Sequence, residues 1–240
     1  MSEHGFHHID LPGVPVVEGF HTLPPVVVYG LIGTGGSGQV FVGVDGNTGA
    51  DVAVKCLTVS DERVIRRFDN EARVGAEIDH PAFVRVRELG REPNTGMRYF
   101  TMDLVAGESA KERVVRRGPL TPADAAQVMV ATAEGLAELH RRGMVHRDIK
   151  PANILLSLDG EVRLADLGLL REMNSLSELT MTGDLLGTPS YMAPEQAKSP
   201  REAGPAADVF ALGATYVYLL TGKAPLQAGG RIQIAPSRQL

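Results

Sequence analysis

The run His146-Arg147-Asp148-Ile149-Lys150-Pro151-Ala152-Asn153 places an imidazole, a guanidinium, a carboxylate, an ammonium and an amide in one short segment. Few reactions use all five groups so close together. Transfer of a phosphoryl group from ATP to a hydroxyl is one, because it asks mainly for positioning and charge neutralisation. In that chemistry Asp148 is the candidate base that orients the substrate hydroxyl. Lys150, two residues on, neutralises charge on the moving phosphoryl group. Asn153 offers an amide oxygen to Mg2+, a hard ion that prefers oxygen ligands. His146 reads as a packing residue rather than an acid or base.

Other segments fit the same chemistry. Gly33-Thr34-Gly35-Gly36-Ser37-Gly38-Gln39-Val40 has the form G-x-G-x-x-G-x-V. Glycines let a backbone approach phosphate oxygens and point N–H groups at them. A dinucleotide fingerprint would continue into a helix, but alternating valines follow here, so the run reads as a hairpin bent over a nucleotide. No Gly-Lys-Ser/Thr closes it, which excludes a Walker A loop. Val52-Ala53-Val54-Lys55 sets a lysine among valines, where it must find a partner. ATP phosphates and Glu71 are the candidates, Glu71 lying three residues beyond Phe68 near a helix's apolar face. The alternative is an edge lysine reaching for water.

Asp166-Leu167-Gly168 follows the turn Leu158-Asp159-Gly160-Glu161 and supplies a carboxylate for Mg2+. Alone it would read as a turn; its order and spacing after Asn153 give it weight. Gly187-Thr188-Pro189-Ser190-Tyr191-Met192-Ala193-Pro194-Glu195 closes a Ser/Thr-rich segment. Asp208 opens an apolar helix and can accept from nearby backbone N–H groups.

The elements that must position these groups follow from periodicity. Residues 26–31, 40–44 and 52–57 read as strands, with Asp45-Gly46-Asn47-Thr48-Gly49 as a turn. Ser60 would cap a helix whose apolar face is Ile65, Phe68, Ala72 and Ala76, ended by His80-Pro81. Strands follow around 83–89 and 98–104. From Ser109 onward the pattern is helical. Thr121-Pro122-Ala123-Asp124 starts a helix with Met129, Ala133, Leu136 and Leu139 on its apolar face, and Gly143 ends it. Residues 1–25, with His4, His7, His8, His21 and several prolines, read as a flexible extension. No Cys or carboxylate completes a ligand set around those histidines, so they read as polar tail rather than metal site.

The 240 residues suffice for one sizeable domain or two small lobes, and 43% hydrophobic with 22% charged residues is ordinary for a globular protein. A net charge of −5 argues against nucleic acid as a partner while allowing a local basic cleft. Cys56 is the single cysteine, so an intrachain disulfide is excluded and a reducing, cytoplasmic setting is expected. Strand alternation turns Cys56 away from Lys55, which reads as a buried, inert thiol. The apolar run 209–220 is too short for a membrane segment and reads as a buried helix. The start of the chain has no signal-peptide pattern.

Together these residues resemble the eukaryotic-type (Hanks-type) serine/threonine protein kinases, and look most like bacterial members, from about residue 26 to 225. The resemblance implies an α+β, two-lobed protein kinase-like fold. Residues 26–105 would be the N-lobe and hinge, a small antiparallel β-sheet with one main helix. Residues 106–225 would be a mainly helical C-lobe, and 226–240 a tail. ATP and Mg2+ would lie in the cleft between lobes. Met102 would be the gatekeeper, Asp103 and Val105 would offer backbone groups to adenine, and Leu155 would form the pocket floor. With Gly33, Thr34, Gly35, Gly36, Ser37, Gly38, Val40, Ala53 and Lys55 these make the nucleotide-binding set. Asp148, Lys150, Lys55 and Glu71 would be catalytic, and Asn153 and Asp166 would hold metal.

Lys150, in the form His-Arg-Asp-x-Lys-x-x-Asn, implies Ser/Thr side chains of proteins as substrates. Thr188 would support Asp148 and Lys150. Ser175, Ser177, Thr180 and Thr182 are candidate phosphosites, and Arg147 would bind the phosphorylated loop. A homodimer is one arrangement for autophosphorylation. The sequence departs from the family pattern at Leu167, in place of Phe, and at Gly75, in place of an apolar residue. The glycine is expected to loosen the helix and bias the Lys55–Glu71 pair toward broken. The C-lobe is expected to be incomplete, leaving Glu195 without its arginine and the 209–220 helix partly uncovered. An ATP-binding pseudokinase or interaction module, or a truncated fragment, is the alternative to an active kinase.

Overall fold

A computed structural model describes residues 16–17, 20–23, 25–35, 38–167, 171–172, 189–199 and 203–225. Of the residues singled out above, Gly36, Ser37, Gly168, Ser175, Ser177, Thr180, Thr182, Gly187 and Thr188 lie outside that set, as do His4, His7, His8 and the 226–240 segment. The chain divides into two units: Met1–Asp79 with Val84–Val105, and His80–Phe83 with Ala106–Leu240.

Alternating valines build the sheet of the first unit. β1 (Val16–Val17), β2 (Phe20–Leu23), β3 (Val26–Gly35), β4 (Gly38–Asp45), β5 (Asp51–Leu57), β6 (Val86–Arg91) and β7 (Arg98–Asp103) form one sheet in the order β1-β2-β3-β4-β5-β7-β6. Every pairing in it is antiparallel. Val52, Val54 and Cys56 enter one apolar cluster with Leu23, Val26, Val28, Phe41 and Tyr99. By the two-residue period of a strand, Ala53, Lys55 and Leu57 face the other way. There Leu57 packs with Phe68, Ala72, Val86 and Phe100, and α1 (Glu62–Glu77) covers the cluster. Burying a side chain such as Phe68 contributes about 2–3 kcal/mol.

The sheet starts earlier than the sequence suggested. β1 and β2 fall within the stretch read as a flexible extension. β2 pairs with β3, with Leu23 opposite Val26 and fully buried. Short strands flanked by prolines carry too little alternation to stand out. The cap of α1 also differs by one residue. Asp61, not Ser60, caps it, accepting from the N–H groups of Arg63 (2.8 Å) and Val64 (3.2 Å). Those two backbone bonds hold the Asp61 carboxyl below its usual pKa. The helix stops at Glu77, before His80-Pro81. The strand placed around 83–89 begins only at Val86, because Phe83 instead bridges Leu164 in the second unit.

The second unit is mainly helical. α2 (Ala110–Arg117) opens on a capping box between Ser109 and Glu112. α3 (Pro122–Arg141) has Thr121 as N-cap, its hydroxyl accepting from Asp124 N–H, and Pro122 at the first position. Its buried face includes Ala125, Val128, Thr132, Gly135, Leu136 and Leu139, so Leu136 and Leu139 lie on it as expected, Met129 is half-buried, and Ala133 is exposed instead. α4 (Pro194–Lys198) and α5 (Pro205–Thr221) follow, the latter capped by Gly222 at φ 71°. Within α5, Ala207, Ala211, Ala214, Thr215, Tyr218 and Leu219 are buried, whereas Val209 is 61% exposed, so the run is not buried throughout. β8 (Gly107–Ser109), β10 (Ile154–Ser157) and β11 (Val162–Leu164) form a three-stranded sheet, and β9 (Met144–Val145) pairs with β12 (Arg171–Glu172).

Candidate active site

In the first unit, sheet register gathers the predicted nucleotide-binding residues. The glycine-rich run is the tip of the β3–β4 hairpin, where Gly33 pairs with Val40 and Gly35 with Gly38. Val40 pairs with Lys55, and Lys55 with Phe100. Val42 pairs with Ala53, and Ala53 with Met102. Val40 and Ala53 thus stand in neighbouring cross-strand rows that also hold Lys55 and Met102. Gly38 has a structural cause of its own: a Cβ there would fall 1.9 Å from the Cys56 carbonyl oxygen. Met102 packs against the Leu57–Phe68–Phe100 cluster. At the end of β7, the Asp103 N–H donates to the Arg85 carbonyl (3.0 Å).

Lys55 Nζ lies 2.6 Å and 2.9 Å from the two carboxylate oxygens of Glu71. Both side chains are buried, and the ammonium sits 5.8 Å from the Phe100 ring centroid. The expected bias toward a broken pair is therefore not seen. Gly75 is buried on α1 with Phe68, Ala72 and Val74, and the helix docks there without a side chain at position 75.

In the second unit, Asp208 organises the tract His146–Asn153. It lies in the first turn of α5, where a carboxylate is favoured by the helix dipole. Its Oδ2 accepts from the His146 N–H (2.9 Å) and its Oδ1 from the Arg147 N–H (2.7 Å). His140 Nε2 lies 2.8 Å from Oδ2, and since a carboxylate only accepts, the ring is the donor. The Arg147 backbone needs this support, because its φ is +66°, a conformation non-glycine residues rarely adopt. Gln196 Nε2 holds the other side, donating to the Arg147 carbonyl (2.7 Å). The Arg147 guanidinium donates to the Ala203 carbonyl. His146 is fully buried, and its Nδ1 accepts from the Asp148 N–H (3.3 Å).

Asp148, Lys150 and Asn153 converge. Lys150 Nζ lies 2.6 Å from Asp148 Oδ2. Asn153 Nδ2 donates to the same oxygen (3.1 Å) and to the Asp148 carbonyl (2.9 Å). With its amide nitrogen so committed, Asn153 keeps its amide oxygen as the acceptor end of the group. The Asn153 carbonyl accepts from the Ala165 N–H (2.9 Å), tying the tract to the segment that ends in Asp166. Asp166 is exposed with φ +63°, while Leu167 beside it is buried. Leu155, in β10, pairs with Ser109 and Arg163.

His140 and Gln196 are contributors that sequence reasoning did not single out. Neither carries a local motif, and only the fold brings them to Asp208 and Arg147. Among the described residues no helix is long and apolar enough to cross a membrane.

The protein kinase domain family matches this chain over residues 26–238. The chain belongs to that family. Its kinase domain is 37% identical over 215 residues to the serine/threonine-protein kinase PknL of Mycobacterium tuberculosis (strain ATCC 25618 / H37Rv), covering 88% of this chain and 53% of that protein. It is 38% identical over 211 residues to PknA of the same strain, covering 85% and 48%. Against the probable serine/threonine-protein kinase PknB of Corynebacterium glutamicum it is 35% identical over 211 residues, covering 85% and 32%. The kinase domain described here spans about half the length, or less, of these curated relatives.

Proposed function

We propose that this kinase domain transfers the γ-phosphoryl group of ATP to serine and threonine hydroxyls of proteins. The observation that carries the reading is the convergence of Lys150 Nζ and Asn153 Nδ2 on one oxygen of Asp148. Both bonds fall on Oδ2, so among the described residues Oδ1 is left to accept from a substrate hydroxyl. The hydroxyl oxygen bonds to the γ-phosphorus as the bond to the bridging oxygen breaks and ADP leaves. Asp148 orients the hydroxyl and takes its proton. Lys150, whose Nζ lies 2.6 Å from Asp148 Oδ2, would neutralise charge on the transferring group.

In the first unit, the hairpin glycines would hold phosphates through backbone N–H groups, and Lys55, fixed by Glu71, would pair with them. Met102, Asp103 and Val105 would receive adenine. The donor set suits Mg2+. The described residues contain no group of three or more His, Cys, Asp or Glu fit to hold a metal. An amide oxygen on Asn153 and a carboxylate on Asp166 match an ion that takes its remaining ligands from phosphates and water. When bound, Mg2+ would neutralise charge on the phosphates. We place the protein's work in the cytoplasm.

Two parts of the reading lie on residues outside the described set: Thr188 as a support for Asp148, and the loop phosphosites that Arg147 would receive. The test is incorporation of labelled phosphate from ATP into the chain itself or a generic protein in the presence of Mg2+. ATP binding without turnover would favour a pseudokinase.

A further inference from the structure

Gly135 lies within α3, on the buried face, where glycine is the poorest of the ordinary helix formers. A Cβ at this position would lie 3.0 Å from Ala82 Cβ, 3.2 Å from Leu164 Cδ1 and 3.4 Å from Phe83 Cζ. The Ala82 methyl is fixed to its backbone, so relief must come from displacing the His80–Phe83 segment or β11. Those two are joined. The Leu164 N–H donates to the Ala82 carbonyl (2.7 Å), and Phe83 bridges Leu164 in parallel. Ala82, Phe83 and Leu164 are all buried. From Leu164 the chain passes to Ala165, whose N–H is held by the Asn153 carbonyl, and then to Asp166.

We propose that Gly135 is a positioning residue for the pair Asn153 and Asp166. The missing side chain makes a niche that seats Ala82, Phe83 and Leu164. The seat of Leu164 sets where the next two residues place the Asn153 carbonyl bond and the Asp166 carboxylate. The helix gives up propensity at Gly135 in exchange for this fit. The inference rests on the reading of Asn153 and Asp166 as Mg2+ ligands given above.

The test is binding of a fluorescent ATP analogue to the full chain, titrated with and without Mg2+, alongside thermal melting. Gly135→Ala is expected to weaken the Mg2+-dependent part of binding about tenfold, as loss of an outer support to a metal ligand does. Binding without Mg2+ should not change. A merely structural Gly135 predicts a different result: the crowded contact would change the melting temperature, while nucleotide binding would change equally, or not at all, with and without Mg2+. Combining Gly135→Ala with Ala82→Gly moves the methyl across the contact and should restore the Mg2+ effect.

The proposal is overturned by an unchanged Mg2+ effect in Gly135→Ala, by an equal loss with and without Mg2+, or by a double variant that does not recover. If Gly135→Ala fails to fold, the double variant decides, since it must fold and respond to Mg2+ as wild type does. A wild type whose nucleotide binding ignores Mg2+ defeats the metal reading itself. That result is seen before any variant is compared, and the proposal falls with it.

Discussion

Lys55 and Glu71 form a bidentate ion pair, 2.6 Å and 2.9 Å, on side chains only 10% and 6% exposed. A pair this buried stabilises little relative to an apolar replacement, yet breaking it strands a charge. Glu71→Ala is therefore expected to lower unfolding stability by about 3 kcal/mol, read from urea denaturation. Lys55→Met combined with Glu71→Leu should recover most of that. A single variant within about 0.5 kcal/mol of wild type would contradict the burial argument.

Asp208 is the second point at which one carboxylate supports much else. Its two oxygens hold the N–H groups of His146 and Arg147, and Arg147 sits at positive φ. Asp208→Asn turns an amide N–H₂ toward one of those donors. The expected cost is about 2–3 kcal/mol in stability. Because Asp148 follows directly, turnover should fall at least about tenfold while nucleotide affinity is retained. Equal losses in turnover and nucleotide affinity would show that Asp208 supports the fold generally and not the tract.

Alkaline pH tests the core of the first unit. Burial pushes the Cys56 thiol up from 9.0 to about 12. Burial, then the nearby Tyr218, pushes the Tyr191 phenol in the second unit up from 10.0 to about 12. Both groups keep their protons in the folded chain at pH values where the unfolded chain loses them. Their contribution is thus fully present below about pH 9 and lost as pH rises toward 12. Cys56 alone accounts for up to about 4 kcal/mol of that loss. Wild type should therefore fall more steeply than Cys56→Ala across this range in denaturant titrations. Parallel curves would mean that the thiol is not desolvated.

Much of the site was legible because its chemistry is written in short runs. The tract from His146 to Asn153, the lysine among valines and the glycine-rich hairpin each declare a local geometry, and sheet register then aligns Val40, Ala53, Lys55 and Met102. What stayed hidden depends on contacts distant in sequence. The face of α3 could be read only in part from its apolar residues: Leu136 and Leu139 are buried as expected, but Thr132 and Gly135 share their face while Ala133 does not. Thr132 satisfies its hydroxyl on the Val128 carbonyl (2.7 Å), so a polar residue is comfortable there. Gly75 was read from helix propensity and from the apolar residue the family pattern places there, whereas the packing of Phe68 and Ala72 decides how α1 is held. The positive φ values at Arg147 and Asp166 have no glycine to announce them. Around Arg147 the support comes from Asp208 and Gln196, and beside Asp166 from the Ala165 N–H bond to the Asn153 carbonyl, contacts between residues far apart or not adjacent in sequence.

The central claim is that Asp148 acts on the substrate hydroxyl while Lys150 and Asn153 hold its other oxygen. The most direct measurement is Mg2+-dependent transfer of labelled phosphate from ATP to the chain or a generic protein, comparing wild type with Asp148→Asn. Wild type should incorporate label, and Asp148→Asn should lose about 100-fold or more in rate, the scale of a positioned general base. Incorporation by Asp148→Asn equal to wild type would contradict the account.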